Sequence, residues 1–405
     1  MRPRSRFSAA VLALILALPA LAAAEELWSD EGYFLDIPEG FSLSEGDGKN
    51  RFAFLSPDGI LEFDLLRYDR ARFPGAAALA AETLKRLGSG GGSEAFVYEG
   101  RPAVLAELDF KLGGVQKKGY AVFVEGRAAP AATVPPATGS PSKEDSALPA
   151  PRPERHTALL AYTDADKFPA YADLALSALD SFSADRVAER RPGPMSQYLF
   201  AFPPERKEKK SLSFGGEEIE LSWNSQEAQE EEDLAGREFR VLQAYAQNEA
   251  LWRPAWARAY RMIYRESAAS LDELAARIDP LLPEDPTEAA RSLLSWVQGF
   301  HYERDPKGID FVVPLSSALE GRGDCDSRAM VMAIILERRG VDSLLMVSRD
   351  YSHALLGLDI PGGGQRFPFE GKQYLVAETT AKVGLGMIAA EQADWSKWIG
   401  IQLGN

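Results

Sequence analysis

Cysteine and histidine are scarce in this chain, which has one cysteine and three histidines in 405 residues. A single cysteine excludes an internal disulfide, and three dispersed histidines give none of the spacings typical of a zinc site. The Pro-Gly-Gly-Gly segment at 361–364 predicts a hairpin turn with no helix after it, so neither a P-loop nor a dinucleotide fingerprint is present. The sequence therefore predicts no metal and no other cofactor.

Positive charge and long apolar runs are also in short supply. The chain carries 45 Lys and Arg against 60 Asp and Glu, which gives a formal net charge of −15. This excess of acid argues against binding to nucleic acid or anionic lipid through bulk electrostatics. After residue 24 no run reaches the ~18 apolar residues that a transmembrane helix needs. No integral membrane segment is therefore expected in the mature chain.

One apolar run does occur, at the N-terminus. Arg2, Arg4 and Arg6 precede an apolar stretch over 9–21, and three alanines before Glu25 offer a cleavage site. This pattern is typical of a secretory signal peptide, here residues 1–24. Its removal moves the formal charge from −15 to −18. The residue directly after the cleavage site is Glu25 rather than cysteine, which argues against a lipoprotein anchor, and we expect an exported, periplasmic protein.

The rest of the chain divides by composition. Residues 25–185 predict several strands and two helices, interrupted at 128–153 by an Ala/Pro-rich insert with too few bulky apolar residues to pack. Residues 186–194, which are rich in arginine and proline, are the expected linker. Residues 195–286 predict a strand at 217–222, then helices near 235–248, 255–266 and 271–282. These helices form either the leading layer of the C-terminal domain or a small middle domain.

Cys325 lies at the predicted start of a helix, directly after a glycine-rich turn. Apolar residues follow at three- and four-residue steps until Gly340 ends the helix. A helix N-terminus favours a thiolate. His353 opens a later predicted strand and Glu378 follows another, at 374–377. A nucleophile, a base and an orienting carboxylate thus occur in the order that thiol-based acyl transfer uses.

Each of these residues also has a purely structural interpretation. A lone cysteine is commonly a small buried hydrophobic residue. His353 could be a strand histidine with no partner, and Glu378 a solvated charge at a strand end. His301 is the competing base, whereas His156 is expected on the surface at a strand edge.

Three short motifs carry a family resemblance. The Gly-Asp-Cys-Asp turn at 323–326, the Ser-His-Ala-Leu-Leu-Gly segment at 352–357 and the Ala-Glu-Thr-Thr segment at 377–380 resemble, in this order, the transglutaminase-like superfamily. The resemblance covers roughly residues 287–390, and it implies a papain-like domain over 287–405. It also implies that Cys325 is the nucleophile, His353 the general base and Glu378 the residue that orients it. Many relatives have aspartate in place of this glutamate. Because glutamate is longer by one methylene, the strand that leads to Glu378 is expected to lie slightly farther from His353.

Other residues near the cysteine have assigned roles as well. The backbone N–H of Cys325 is the expected first oxyanion donor, and a side chain from Tyr302 or Gln298 is a candidate for the second. Asp324 is expected to cap the helix. A carboxylate pointing at the sulfur would oppose the thiolate, so Asp326 is expected to face away and hold a neighbouring loop or Arg322.

The N-terminal part carries a second resemblance. Ile-Pro-Glu-Gly-Phe at 37–41 and Leu-Asp-Ser-Phe at 179–182 resemble PsbP-type lumenal proteins and their bacterial relatives. This implies an α/β sandwich that acts as a binding or assembly module. The expected fold is therefore α+β: a PsbP-like domain, then a transglutaminase-like domain with a leading helical layer.

Together these features predict an exported thiol enzyme that acts on amide bonds of a protein or peptide substrate in the cell envelope. Hydrolysis is favoured over cross-linking, although the sequence does not choose between them. The alternative is a non-enzymatic binding or assembly protein that uses the same fold as a scaffold. An enzyme whose N-terminal domain recruits the target would reconcile the two.

Overall fold

The computed structural model describes residues 27–29, 32–128, 154–199, 208–304 and 311–403. The expected signal peptide, residues 1–24, lies outside these ranges, as do residues 129–153 of the Ala/Pro-rich insert. Helices and antiparallel strands alternate irregularly along the chain, which confirms the α+β class. No helix in the described ranges is long and apolar enough to cross a bilayer.

The first half is built on a seven-stranded antiparallel sheet. Its elements in chain order are β1 (Leu27–Trp28), β2 (Phe34–Leu35), β3 (Ser42–Gly46), β4 (Arg51–Leu55), β5 (Glu62–Tyr68), α1 (Ala76–Leu87), β6 (Ser93–Tyr98), β7 (Arg101–Leu112), β8 (Val115–Val124), β9 (His156–Asp164), α2 (Phe168–Asp180), β10 (Phe182–Ser183) and α3 (Pro194–Leu199). The strand order in the large sheet is β3-β4-β5-β9-β8-β7-β6, and β2 pairs with β1 and β10 in a small separate sheet.

Strand β9 shows how this sheet is buried on both faces. Successive side chains of a strand point to opposite faces. Leu159 and Ala161 pack in the cluster that includes α2, whereas Ala158 and Leu160 pack in the cluster that includes α1. The sheet therefore lies between two helices, and the near-continuous apolar run of β9 follows from this position.

His156, at the start of β9, was predicted to lie on the surface, and that prediction is wrong. Strand β9 lies between β5 and β8 rather than at an edge, and His156 is buried. The ring nitrogen Nδ1 accepts a hydrogen bond from the Gly126 N–H at 3.2 Å, and Nε2 lies 3.0 Å from the Phe73 carbonyl oxygen. This histidine is a satisfied core residue.

The second half combines a layer of helices with a five-stranded antiparallel sheet. Its elements are β11 (Glu208–Phe214), β12 (Glu217–Trp223), α4 (Ser225–Tyr245), α5 (Trp252–Ser270), α6 (Asp272–Ile278), α7 (Pro286–Val297), β13 (His301–Tyr302), α8 (Pro314–Glu320), β14 (Arg322–Gly323), α9 (Cys325–Arg338), β15 (Ser343–Ser348), β16 (His353–Leu358), β17 (Arg366–Phe369), β18 (Lys372–Ala377) and β19 (Ile399–Gln402). The strand order is β17-β18-β16-β15-β19.

Helix α9 packs against the middle of this sheet, on β15 and β16. Leu345, Val347 and Leu356 face the cluster that includes the helices, whereas Leu344 and Leu355 face Trp398 on the other side. Both faces are thus covered, and the central strands are fully apolar. This arrangement fixes the N-terminal end of α9 beside the start of β16.

Buried charged groups join the two halves. Arg258 on α5 lies 3.2 Å from Glu39 of the first half, and Arg237 on α4 lies 2.6 Å from Asp180 at the end of α2. Arg261 and Arg265 both contact Asp36, at 2.9 and 3.5 Å. The helical layer is therefore packed against the first half as well as against the five-stranded sheet.

Candidate functional site

Cys325 is the first residue of α9 and is buried, with 2% of its surface exposed. The chain reaches it through Gly323, whose φ of +150° favours glycine. A Cβ at Gly323 would lie 2.6 Å from both the Ser317 and the Ser327 hydroxyl oxygens. The glycine-rich turn is therefore needed to bring the thiol to the helix N-terminus.

A capping box holds this helix start. The Asp324 side chain accepts from the Ser327 N–H at 3.0 Å, and the Ser327 hydroxyl accepts from the Asp324 N–H at 3.0 Å. Asp324 thus lies at the N-cap, where the sequence places it. Burial, followed by the nearby charge of Asp326, raises the pKa of Asp324 to about 7.

His353 and Glu378 meet at the same end of two neighbouring strands in the five-stranded sheet. His353 opens β16, and Glu378 directly follows β18, the neighbouring antiparallel strand. Nε2 of His353 lies 2.7 Å from Oε2 of Glu378. The pair leaves Nδ1 as the ring nitrogen for other chemistry, and within the described ranges it makes no hydrogen bond.

The other oxygen of Glu378 is also fixed. Oε1 accepts from the Thr380 N–H and hydroxyl, at 2.7 and 2.6 Å. Burial alone would raise the pKa of Glu378, but the hydrogen bond and charge of His353, together with the Thr380 donors, lower it to about 2. Glu378 is therefore ionised at neutral pH and holds the imidazole ring in place.

Asp326 does not face away from the sulfur, and that prediction is wrong. The Cys325 thiol donates to Oδ1 of Asp326 at 3.1 Å, and Oδ2 accepts from the Tyr260 hydroxyl on α5. Arg322, the expected partner of Asp326, pairs instead with Glu303 and Glu320. A buried phenol donor turns the carboxylate towards the thiol, and nothing in the local sequence indicates that donor.

This environment favours the neutral thiol. Burial raises the pKa of Cys325 far above its ordinary value, and the carboxylates of Asp326 and Asp324 raise it further. The backbone N–H of Ala354, the residue after His353, acts in the opposite direction. At neutral pH the sulfur is therefore protonated, and it needs a base to become a nucleophile.

Arg328, like Tyr260, contributes to the site and was not predicted from the sequence. It is 1% exposed, and its guanidinium donates to the carbonyls of Gly323 at 3.0 Å, Phe300 at 2.9 Å and Thr379 at 3.4 Å. These carbonyls belong to the turn before Cys325, the segment after α7 and the segment after Glu378. A charged residue inside the apolar run of α9 was the available signal.

Of the two candidate oxyanion side chains, Gln298 is engaged as a donor elsewhere, whereas the Tyr302 hydroxyl acts as an acceptor and keeps its own proton to donate. Gln298 Nε2 donates to the carbonyls of Glu378 at 2.8 Å and Val383 at 2.9 Å, so both amide hydrogens are used. The Tyr302 hydroxyl accepts from Arg304 Nε at 2.9 Å, and its side chain is half exposed. Neither residue lines the cleft at the thiol, and neither does His301, the competing base.

Cys325 and His353 line the same open cleft, whose volume is about 320 Å³. Asp324, Asp326 and Tyr260 also line it. A larger cavity of about 570 Å³ lies between α5, α9 and β19, but it contains neither the thiol nor the imidazole. We therefore take the smaller cleft as the candidate site, because the reactive groups open into it.

No metal centre is evident near these groups. Among the residues that the structure describes, no three His, Cys, Asp or Glu side chains are grouped so that they could hold a metal ion. The carboxylates beside the sulfur are committed to a thiol, a phenol and a helix cap. What the arrangement offers chemically is a thiol, an oriented imidazole and unpaired N–H groups at a helix start.

Comparison with known proteins adds little to this geometry. No protein-family model matches the chain, and no curated protein matches it. Among solved structures, that of cyanobacterial PsbP (CyanoP) from Synechocystis sp. PCC 6803 is similar over 42% of this chain and 97% of its own length, with 12% identity and a TM-score of 0.27. The similarity falls on the N-terminal part and is too distant to support an argument. The transglutaminase-like resemblance stays a prediction.

Proposed function

We propose that this chain is an exported, transglutaminase-like thiol enzyme that cleaves amide or peptide bonds of a protein or peptide substrate. One observation carries the proposal: Cys325 and His353 open into one cleft, and Glu378 holds the far ring nitrogen of His353 at 2.7 Å. The nucleophile starts a helix and the base starts a strand. Rigid elements of this kind hold reacting groups more precisely than loops do.

The proposed reaction proceeds through a thioester. The sulfur attacks the carbonyl carbon of the substrate while the thiol proton passes to Nδ1 of His353, and the C–N bond then breaks as the amine leaves with that proton. Water attacks the thioester, His353 takes and returns a proton, and a carboxylic acid is released from the regenerated thiol. An amine in place of water would form a new amide instead, but hydrolysis is the outcome we favour. Glu378 keeps its charge and orients the imidazole throughout.

Oxyanion stabilisation comes from the start of α9 in this scheme. The first N–H groups of a helix have no partner within the helix. The N–H of Cys325 is therefore free to donate to the oxygen that develops negative charge. With Gln298 engaged elsewhere, the Tyr302 hydroxyl is the remaining candidate for the second donor.

A second candidate function has its own supporting observation. The thiol donates to Asp326, and its pKa is raised by burial and by two carboxylates. Such a sulfur is a poor nucleophile unless the imidazole removes its proton. If that transfer never occurs, the molecule is a binding or assembly protein of the cell envelope with an inert cysteine.

Alkylation of Cys325 by iodoacetamide separates the two functions. Intact mass spectrometry follows the rate in the wild-type protein and in His353→Ala and His301→Ala at about neutral pH. General-base help contributes about 10²–10⁴-fold to proton transfer, so we expect His353→Ala to slow alkylation by at least about tenfold and His301→Ala to leave it unchanged. A rate that is equally slow in all three proteins would support the non-enzymatic function.

A further inference from the structure

The lining of the cleft combines apolar rings with cations. Phe239, Trp256, Tyr260 and Phe311 contribute aromatic surface beside Cys325. The rings support one another: Phe239 and Phe311 have centroids 5.7 Å apart, and Trp256 stacks on Tyr260 at 6.3 Å. Tyr260 and Phe311 are buried, whereas Phe239 on α4 and Trp256 on α5 are only partly buried and can accept an apolar side chain of a ligand.

Arg349 and Arg304 add positive charge to the same lining. Arg349 is exposed, and its guanidinium lies over the Trp252 ring at 5.7 Å. Within the part of the chain that the structure describes, it makes no ion pair. Arg304 donates to the Tyr302 hydroxyl and to the Ser352 carbonyl at 3.2 Å. Arg349 is therefore the cation that an incoming carboxylate can reach.

Two acids, Asp324 and Asp326, line the cleft as well, and both are less exposed than Arg349. Asp324 accepts from the Ser327 N–H and hydroxyl, and Asp326 accepts from the thiol and from Tyr260. Their charges act on the buried sulfur, whereas Arg349 is exposed, so a carboxylate that arrives from solvent meets Arg349 first. The overall negative charge of the chain opposes an acidic ligand at long range, but salt screens it beyond about 8 Å at physiological ionic strength.

We infer that the cleft selects an acidic peptide segment in which an aromatic or large aliphatic side chain stands next to a carboxylate. The apolar side chain contacts the aromatic surface, and the carboxylate pairs with Arg349. A cleft of about 320 Å³ is at the lower end of the range of ligand sites, so it holds a short segment rather than a folded domain. This inference rests on the proposed function, because it names the substrate class of the same site.

Binding to the full chain that carries Cys325→Ala tests the inference without requiring turnover. Fluorescence anisotropy measures three fluorescein-labelled tetrapeptides, Gly-Phe-Glu-Gly, Gly-Phe-Lys-Gly and Gly-Ala-Glu-Gly. An exposed ion pair contributes about 0.2–1 kcal/mol, which is up to about fivefold in Kd. We expect the Phe-Glu peptide to bind about fivefold more tightly than Phe-Lys, and more tightly than Ala-Glu by a similar or larger factor.

Reversing the charge of Arg349 provides a second test of the inference. Arg349→Glu, made in the Cys325→Ala chain, is expected to invert the preference between the Phe-Glu and Phe-Lys peptides. Arg291→Glu is the matched control, because Arg291 is exposed on α7 and does not line the cleft. Equal binding of the two peptides, an unchanged preference in Arg349→Glu, or no binding of any peptide overturns the inference.

The same peptides given to the wild-type chain separate the two proposals. Selective binding without any Cys325-dependent cleavage would reject the enzyme and leave the acidic-peptide site standing. Cys325-dependent cleavage of all three peptides at similar kcat/KM would reject the selectivity and leave the enzyme standing.

Discussion

Opposing influences set the protonation of Cys325. The helix start favours a negative sulfur, but even in a partly buried geometry a helix N-terminus contributes no more than about 2 kcal/mol, which is about one and a half pKa units at about 1.4 kcal/mol per unit. Burial can shift a pKa by up to about 3–5 units, and the carboxylates of Asp326 and Asp324 act in the same direction. Burial and charge therefore outweigh the helix, and the resting thiol is neutral.

Removing the charge of Asp326 is expected to activate the thiol. Asp326→Asn keeps the shape of the side chain and its capacity to accept from Tyr260, but it removes the negative charge beside the sulfur. The pKa of Cys325 falls, and each unit gives about tenfold more thiolate. We expect iodoacetamide alkylation to become about tenfold faster at pH values near 8, with its pH profile moved to lower pH.

Asp350→Asn is the control for this substitution, since Asp350 is exposed in the turn before His353 and does not line the cleft. Alkylation in that variant should follow the wild-type profile. A slower or unchanged rate in Asp326→Asn would mean that the carboxylate does not set the state of the thiol.

At this scale the sequence identifies reactive residues better than it identifies their partners. Cys325 and His353 stand out because cysteine and histidine are rare in this chain. Glu378 stands out because it follows them in the order nucleophile, base and orienting carboxylate. The contact of Asp326 with Tyr260 joins residues far apart in the chain. Tyr260 also packs in the hydrophobic core, and no local pattern indicates where its hydroxyl points.

At the scale of elements, Arg328 holds the site together. One guanidinium bonds carbonyls from three segments, at Gly323, Phe300 and Thr379. Two of these segments lead directly to catalytic candidates, since Gly323 precedes the helix of Cys325 and Thr379 follows Glu378. Arg328 touches neither reacting group, so it is a positioning residue.

Truncation of Arg328 should therefore destabilise the protein strongly. Arg328→Met leaves the buried carbonyls of Phe300 and Thr379 without this donor, whereas the Gly323 carbonyl still accepts from the Glu303 N–H at 3.3 Å. Each unsatisfied group costs about 1–3 kcal/mol, so we expect a loss of about 2 kcal/mol or more in the free energy of unfolding measured with urea. Arg291→Met removes an exposed ion pair on α7 and should change it by less than about 1 kcal/mol. Similar small losses in both variants would contradict this role.

The elements themselves were predictable where local patterns are strong. The predicted strand at 374–377 lies within β18, and Gly340 follows α9, as predicted, with a φ of +77°. Helix α4 begins at Ser225, before the predicted stretch near 235–248, because Asn224 caps it, and the acidic residues at 227–233 form its first turns, with Glu231 buried among them. The short parallel pair β13 and β14 was missed, since two-residue strands carry no periodic signal.

At the scale of the whole molecule, buried ion pairs connect the two halves. Arg258 contacts both Glu39 and Glu238 at 3.2 Å, and all three are 1% exposed or less. Burial raises the pKa of Glu39 despite Arg258, whereas Arg261 and Arg265 outweigh the burial of Asp36 and lower its pKa. Glu238 lies in the same half as Arg258, but Glu39 and Asp36 take their cations from the other half, so the buried carboxylates of the first half need the second half.

Loss of Arg258 should weaken this contact more than loss of an exposed pair. Arg258→Met leaves Glu39 buried without its cation, which costs about 3–5 kcal/mol, whereas Glu238 keeps its pair with Arg237. Arg240 is the matched control, because it pairs with Asp173 across the same contact but is exposed. Arg240→Met should cost less than about 1 kcal/mol.

Urea unfolding followed by both tryptophan fluorescence and circular dichroism measures the two losses. In Arg258→Met we also expect the two signals to separate, because the halves no longer unfold as one unit. Equal, small losses in the two variants, with coincident transitions, would show that the buried cluster does not couple the halves.

Helix α5 contacts both the first half of the chain and the candidate site. Arg258 meets the carboxylates of the first half, and Tyr260, two positions along, holds the carboxylate that touches the thiol. Dissecting the chain between its halves would strip Arg258, Arg261 and Arg265 of counter-ions supplied by the first half. The reactive half is thus not an autonomous module, and a truncated fragment would be a poor surrogate for the chemistry of the intact chain.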